Sequence, residues 1–170
     1  DLYVASGSNE WEINSIKYND RIYINDGNGI FSKTNDILPE MLISTSCVVK
    51  SDYDLDGDMD LFIGARSIAR QYPLPASSVL LENKDGKYVN ITDNVAPLLN
   101  KIGMVTDAIW SDINLDGYDD LLVVGEWMTI HVFINENGTK LLLSPNDLLK
   151  TGNNLVSVSI LHFGYTFNKS

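Results

Sequence analysis

Two stretches of the chain carry oxygen-bearing side chains at alternate positions: "DYDLDGDMD" (52–60) and "DINLDGYDD" (112–120). Counted from Asp52, side-chain oxygens stand at positions 1, 3, 5 and 9 as Asp52, Asp54, Asp56 and Asp60. Gly57 is at position 6, and Asp58 at position 7 offers its backbone carbonyl. The second stretch repeats the pattern with Asp112, Asn114, Asp116, Gly117, Tyr118 and Asp120. Alternate residues point the same way, so the odd positions converge on one centre while glycine lets the chain turn sharply. Hard oxygen ligands at this spacing suit Ca²⁺, whereas Mg²⁺ prefers few protein ligands and several waters. An EF-hand shares the first six positions but needs Glu at position 12 and a helix on either side. Here position 12 is Ile63 or Val123, inside a strand-like run, so the Asp at position 9 must close the coordination instead.

Composition agrees with a bound cation. Nine of the 23 acidic residues fall in these two stretches, where their mutual repulsion is costly unless a cation neutralises it. A merely solvated acidic loop would need neither the regular spacing nor the fixed glycine. The formal charge of −11 argues against a nucleic-acid partner, since phosphate binding needs a basic surface. No apolar run approaches the length of a membrane span, and no basic segment with an apolar run behind it reads as a signal peptide. Cys47 is the single cysteine, which rules out an internal disulfide and a Cys-based metal site; its "CVV" setting reads as a buried strand thiol. No Ser-His-Asp set, zinc motif or phosphate loop is present, and His131 in "TIHVFI" reads as a strand residue. The expected role of the ion is therefore structural, and the chain is not expected to be an enzyme.

The elements that position these loops follow from what flanks them. The closing Asp is joined to a hydrophobic run three times, as "DLYVASG" from Asp1, "DLFIGAR" from Asp60 and "DLLVVGE" from Asp120, spaced 59 and 60 residues apart. Downstream lie the matched phrases "IYINDGNGIF" (22–31), "LLENKDGKYV" (80–89) and "VFINENGTKL" (132–141), whose glycines mark hairpin turns. Upstream of the two full loops stand "STSCVVKSD" and "VTDAIWSD". One unit thus reads strand, acidic loop, strand, variable loop, strand, tight turn, strand. Only "ILPEML" and "APLLNKI" have room for a helical turn. Four-stranded antiparallel units in tandem predict an all-β fold of propeller blades; a β-sandwich does not account for the 60-residue period. The expected organisation is a single partial propeller domain. It comprises the last three strands of one blade (1–34), complete blades over 44–93 and 104–145, and a degenerate or truncated next blade over 153–170. Asp1 then reads as the last residue of a loop lying upstream.

The stretches "DYDLDGDMDLFIGA" and "DINLDGYDDLLVVG" resemble the FG-GAP/VCBS repeats of integrin-α-like β-propellers, in the form found in bacterial secreted proteins. The resemblance covers about residues 1–145. It implies seven-bladed propellers, with the remaining blades as structural partners, and two structural Ca²⁺ ions in the loops between first and second strands. The ligands it implies are Asp52, Asp54, Asp56, Asp58 and Asp60, then Asp112, Asn114, Asp116, Tyr118 and Asp120. It further implies an extracellular or cell-surface location, or a periplasmic one, and a role in binding or adhesion to a protein or glycan. The alternatives are a Ca²⁺-dependent propeller enzyme that cleaves polysaccharides and a purely architectural segment of a large surface protein.

Connections in an antiparallel blade alternate between its two ends. The acidic loops and the tight turns must share one end, and the long irregular connections the other. Long loops on a rigid scaffold are where recognition usually sits. That second end holds Trp11, Arg66, Arg70, Tyr72, Glu126 and Trp127, of which Arg66, Arg70 and Tyr72 are the expected ligand contacts.

Overall fold

The structure is a computed structural model, and it describes residues 1–144. It is all-β, built from three separate antiparallel sheets, none of which closes on itself. The first sheet has strands β1 (Leu2–Val4), β2 (Arg21–Asn25) and β3 (Phe31–Lys33). The second has β4 (Thr45–Ser51), β5 (Asp60–Ala65), β6 (Val79–Lys84) and β7 (Lys87–Asn90). The third has β8 (Met104–Ser111), β9 (Asp120–Glu126), β10 (His131–Asn135) and β11 (Leu141–Leu143). Within each sheet every strand pairs with its sequence neighbour, so all three are simple meanders. The strand expected over 153–161 lies outside the described residues.

Sequence punctuation explains the strand ends. The acidic loops 52–59 and 112–119 join the first and second strands of the second and third sheets. The turns Asp85–Gly86 and Asn137–Gly138 join the third and fourth, each residue taking the positive φ such turns require. "APLLNKI" forms a 3₁₀ turn, Pro97–Lys101, directly after one helical turn, α1 (Thr92–Val95). "ILPEML" forms none: Pro39 disfavours helical φ/ψ at Leu38, and Leu42 instead makes an isolated bridge with Asn19. A 3₁₀ turn at Ile16–Tyr18, capped by the Ser15 hydroxyl, has no counterpart in the sequence reading.

The middle sheet is covered on both faces, and β5 is buried at every position. Its side chains alternate between two cores. Leu61 and Ile63 join Met41, Val79 and Leu81, with Tyr3 of the first sheet packed against them. Phe62 joins Leu80, Val105, Leu121, Val123 and Phe133, most of them from the third sheet. Gly64 permits this approach, since a Cβ there would lie 2.7 Å from a Val105 methyl carbon and 2.5 Å from the Cys47 sulfur. The Cys47 thiol is accordingly pushed up to about 12, chiefly by burial and then by the charge of Asp107. Asp20 ties the first sheet to the second. Its buried carboxylate accepts from the Tyr3 hydroxyl at 2.7 Å, the Thr45 hydroxyl at 2.7 Å and the Ser6 N–H at 2.6 Å.

Phe62 has no exposed surface and fills the boundary between two sheets. Phe62→Ala should cost about 3–5 kcal/mol in urea unfolding. Leu115→Ala, at a side chain that is 86% exposed, should stay within about 0.5 kcal/mol of the parent.

Candidate metal centre

The two acidic loops begin where β4 and β8 end and finish on the first residues of β5 and β9. The closing aspartates Asp60 and Asp120 are therefore buried, each with no exposed surface. One oxygen of each is used in the same way: Asp60 Oδ1 accepts the Asn83 N–H at 2.8 Å, and Asp120 Oδ1 the Asn135 N–H at 2.8 Å. Asp1 stands in the same relation to the first sheet, its Oδ1 accepting the Asn25 N–H at 3.0 Å. The three asparagines then turn their side-chain oxygens to the following turn, where they accept from Gly27, Gly86 and Gly138 at 3.0, 2.9 and 2.9 Å. In the sequence, "IYIN", "LLEN" and "VFIN" read only as strands entering hairpin turns. An Asn two or three residues before the turn glycine in all three phrases was the available signal.

In the first loop, ligand oxygens of Asp52, Asp54 and Asp60 all lie within 4.8 Å of one another. Asp52 Oδ2 accepts the Gly57 N–H at 3.1 Å, which curls the loop round, but the buried Asp52 Oδ1 and Asp60 Oδ2 have no hydrogen-bond partner. Burying a carboxylate oxygen without a donor is expensive, and a cation among these three groups would remove that cost. Burial, with the charges of Asp54 and Asp56 adding to it, pushes Asp60 up to about 7 against the pull of the Asn83 and Tyr53 N–H groups. Asp54 is raised as well, first by burial and then by Asp56. Asp56 and Asp58 sit at the exposed outer turn, with the Asp58 N–H donated to Asp56 Oδ1 at 2.9 Å.

The second loop has the same course and a different internal state. Asp112 accepts from Asp116 N–H at 3.0 Å and Gly117 N–H at 2.9 Å, and Asp116 Oδ1 accepts the Tyr118 N–H at 2.9 Å. Position 3 is an amide, and Asn114 Nδ2 donates to Asp116 Oδ2 at 2.8 Å. Asp120 Oδ2 accepts the Ile113 N–H at 3.0 Å. The second loop thus satisfies its carboxylates internally, and among the described residues only the first brings three acidic groups together.

The first loop also carries the third sheet. Asn135, 1% exposed, donates through Nδ2 to the Tyr53 carbonyl at 2.7 Å and to the Asp119 carbonyl at 3.0 Å. Tyr53 lies between two acidic positions of one loop, and Asp119 precedes the closing residue of the other. The Ser51 hydroxyl donates to Asp119 Oδ2 at 2.6 Å, and the Tyr53 and Trp110 rings stack at 6.4 Å. At Gly138, with φ of +70°, a Cβ would stand 2.6 Å from the Asp54 Cα, so the turn of the third sheet seats on the first loop only as glycine.

At the other end, Arg66 pairs with Glu126 through Nε at 3.0 Å and Nη2 at 2.8 Å, and the Tyr72 hydroxyl accepts the Trp127 indole N–H at 3.2 Å. These contacts join the second sheet's long connection to the end of β9. Arg70 is placed differently, bound to Glu12, to the Glu10 carbonyl at 3.0 Å and to Asn9. It clasps the segment of residues 9–12, whose Asn9 lines the same cleft as Arg66 and Tyr72. Comparison with protein-family models, with curated proteins and with solved structures gave no match.

Asn135→Ala strands two carbonyls and one N–H, and should cost about 2–4 kcal/mol in unfolding. Asn83→Ala breaks only the turn within its own sheet, and the same urea titration should show a smaller loss. The raised Asp60 sets a pH trend. With chelator present, the folded state holds this proton up to about pH 7 while the unfolded chain loses it near pH ~4, so stability from this group falls as pH rises through that window. Melting temperature should therefore drop from acid to neutral pH, and Asp60→Asn should flatten the slope.

Proposed function

We propose that this chain is an arc of a Ca²⁺-stabilised β-propeller of FG-GAP/VCBS type, serving as a binding or adhesion module of an exported protein. The observation that carries this reading is the pair of buried, partnerless carboxylate oxygens in the first loop, on Asp52 and Asp60. They lie beside Asp54 in a loop whose oxygen spacing recurs 60 residues later. Asp52, Asp54, Asp56 and Asp60, with the Asp58 carbonyl, would hold one ion. Asp112, Asn114, Asp116 and Asp120, with the Tyr118 carbonyl, would hold the other after exchanging their present hydrogen bonds for the metal. A bound Ca²⁺ supplies neutralising charge and oxygen coordination. The residues around it supply position: β5 and β9 anchor the closing aspartates, and Asn135 fixes the loop backbones from the third sheet.

A structural rather than catalytic ion fits the surroundings, since the closing aspartates Asp60 and Asp120 are buried and no histidine lies in either loop. The recognition surface is assigned to the opposite end, where long connections rest on the rigid sheets.

Calorimetric titration of the metal-free chain should give two Ca²⁺ ions per molecule, and chelator should lower the melting temperature. At ~1 mM free Ca²⁺ and a Kd of about 10⁻⁴ M, each site adds roughly 1.4 kcal/mol. Asp54→Ala and Asp116→Ala should each remove one ion. A chain that takes up no Ca²⁺ would refute the proposal.

A further inference from the structure

We infer that the cleft at the end opposite the acidic loops binds a neutral saccharide; this rests on the binding-module reading above and names its ligand class. The cleft has a volume of about 520 Å³, within the range of small-ligand sites. All three sheets reach it. Gly7 and Ser8 come from the chain after β1, Ser46 from β4, Thr106 from β8, and Ser67 and Tyr72 from the connection after β5.

Ser46 and Thr106 occupy the same place in two different sheets. Each lies where the register slips between first and second strand, between Thr45 and Cys47 in one sheet and between Val105 and Asp107 in the other. Such bulges re-aim a side chain and recur beside functional sites. The Ser46 hydroxyl lies 2.9 Å from the Gly64 carbonyl and 2.7 Å from the Val105 carbonyl. Its single proton is thereby committed, while its lone pairs stay available as acceptors. Ser67 is buried as a residue, and its hydroxyl, in the cleft wall, has no hydrogen-bond partner among the described residues. Tyr72 accepts from Trp127 and keeps its own proton to donate. The wall thus offers fixed acceptors and donors to a ligand that carries both, as a polyol does.

Charge narrows the class. Arg66 is the ionised side chain in the wall, and Glu126 already neutralises it. With a net charge of −11 on the chain, an acidic ligand gains nothing here and a neutral one loses nothing. The rim supplies the apolar half of the recognition. Trp127 is 71% exposed and held outward at φ of +57°, its N–H tied to Tyr72. A bulky residue in the left-handed region is uncommon and strained, yet here it presents a rigid indole to solvent beside a hydroxyl-lined cleft. Sugar rings have apolar C–H faces that stack on the electron-rich face of an indole while their hydroxyls reach polar walls.

The test uses the full 170-residue chain saturated with Ca²⁺ and two neutral probes, cello-oligosaccharides and N-acetylglucosamine oligomers. Binding is read by calorimetry and by saturation-transfer NMR. We expect at least one probe to bind, with Kd raised about tenfold or more by Trp127→Ala while Ca²⁺ uptake is unchanged. Ser46→Ala should weaken binding too, and Lys87→Ala, on the strand farthest along the second sheet, should not. The inference is overturned if neither probe binds, if Trp127→Ala binds equally well, or if polygalacturonate binds more tightly than both. Ca²⁺ titration of the metal-free chain separates the two readings: two ions taken up without sugar binding sinks this inference alone.

Discussion

Each sheet carries the same bond, the acceptance of an asparagine N–H near the end of one strand by an aspartate at the start of the neighbouring one. Asp60 with Asn83 and Asp120 with Asn135 are both 2.8 Å apart and buried on the carboxylate side. A charge at that depth is tolerable only if its second oxygen is also answered. In the third sheet a backbone N–H answers it. In the second, Asp60 Oδ2 has no hydrogen bond, although the Tyr53 N–H still pulls its carboxyl down, and the two loops differ in this respect. Strand register, loop curvature and the seating of the tight turn all follow from keeping the carboxylate in place.

The division of labour between the two ends is a consequence of the meander. Because consecutive strands pair, every acidic loop lies beside a tight turn at one end, and every long connection reaches the other. Rigidity is concentrated at the first end, through Asn135, Gly138 and the Tyr53–Trp110 stack. Chemical variety is concentrated at the second, where hydroxyls, an ion pair and two exposed aromatics meet.

Much of this is written locally in the chain. Asp-Gly and Asn-Gly turns and alternating apolar runs mark the strands, and the oxygen spacing marks the loops, because each is a short-range constraint. What escapes a reading of residues is whatever depends on a distant partner. Asn135 looks like a turn residue until its contact with Tyr53, 82 positions away, is seen. Arg70 looks like a free surface cation, but Glu12 and the Glu10 carbonyl occupy it. The two acidic loops look equivalent, yet one Asp-to-Asn difference at the third position leaves them with different hydrogen bonding. "ILPEML" has the hydrophobicity of a helical turn, and its proline and the bridge from Leu42 to Asn19 decide otherwise.

The contact from Asn135 to Tyr53 runs in one direction along the chain: a later sheet completes the loop of the earlier one. Arrays with such contacts behave as nearest-neighbour systems, in which total stability is a sum of unit terms and interface terms. A polar interface term gives the array a sense of growth, because a unit becomes fully ordered only when its successor docks. During synthesis the second sheet would therefore wait for residues 131–138 before its acidic loop is held in place. Damage at one junction would propagate to a single neighbour and stop there.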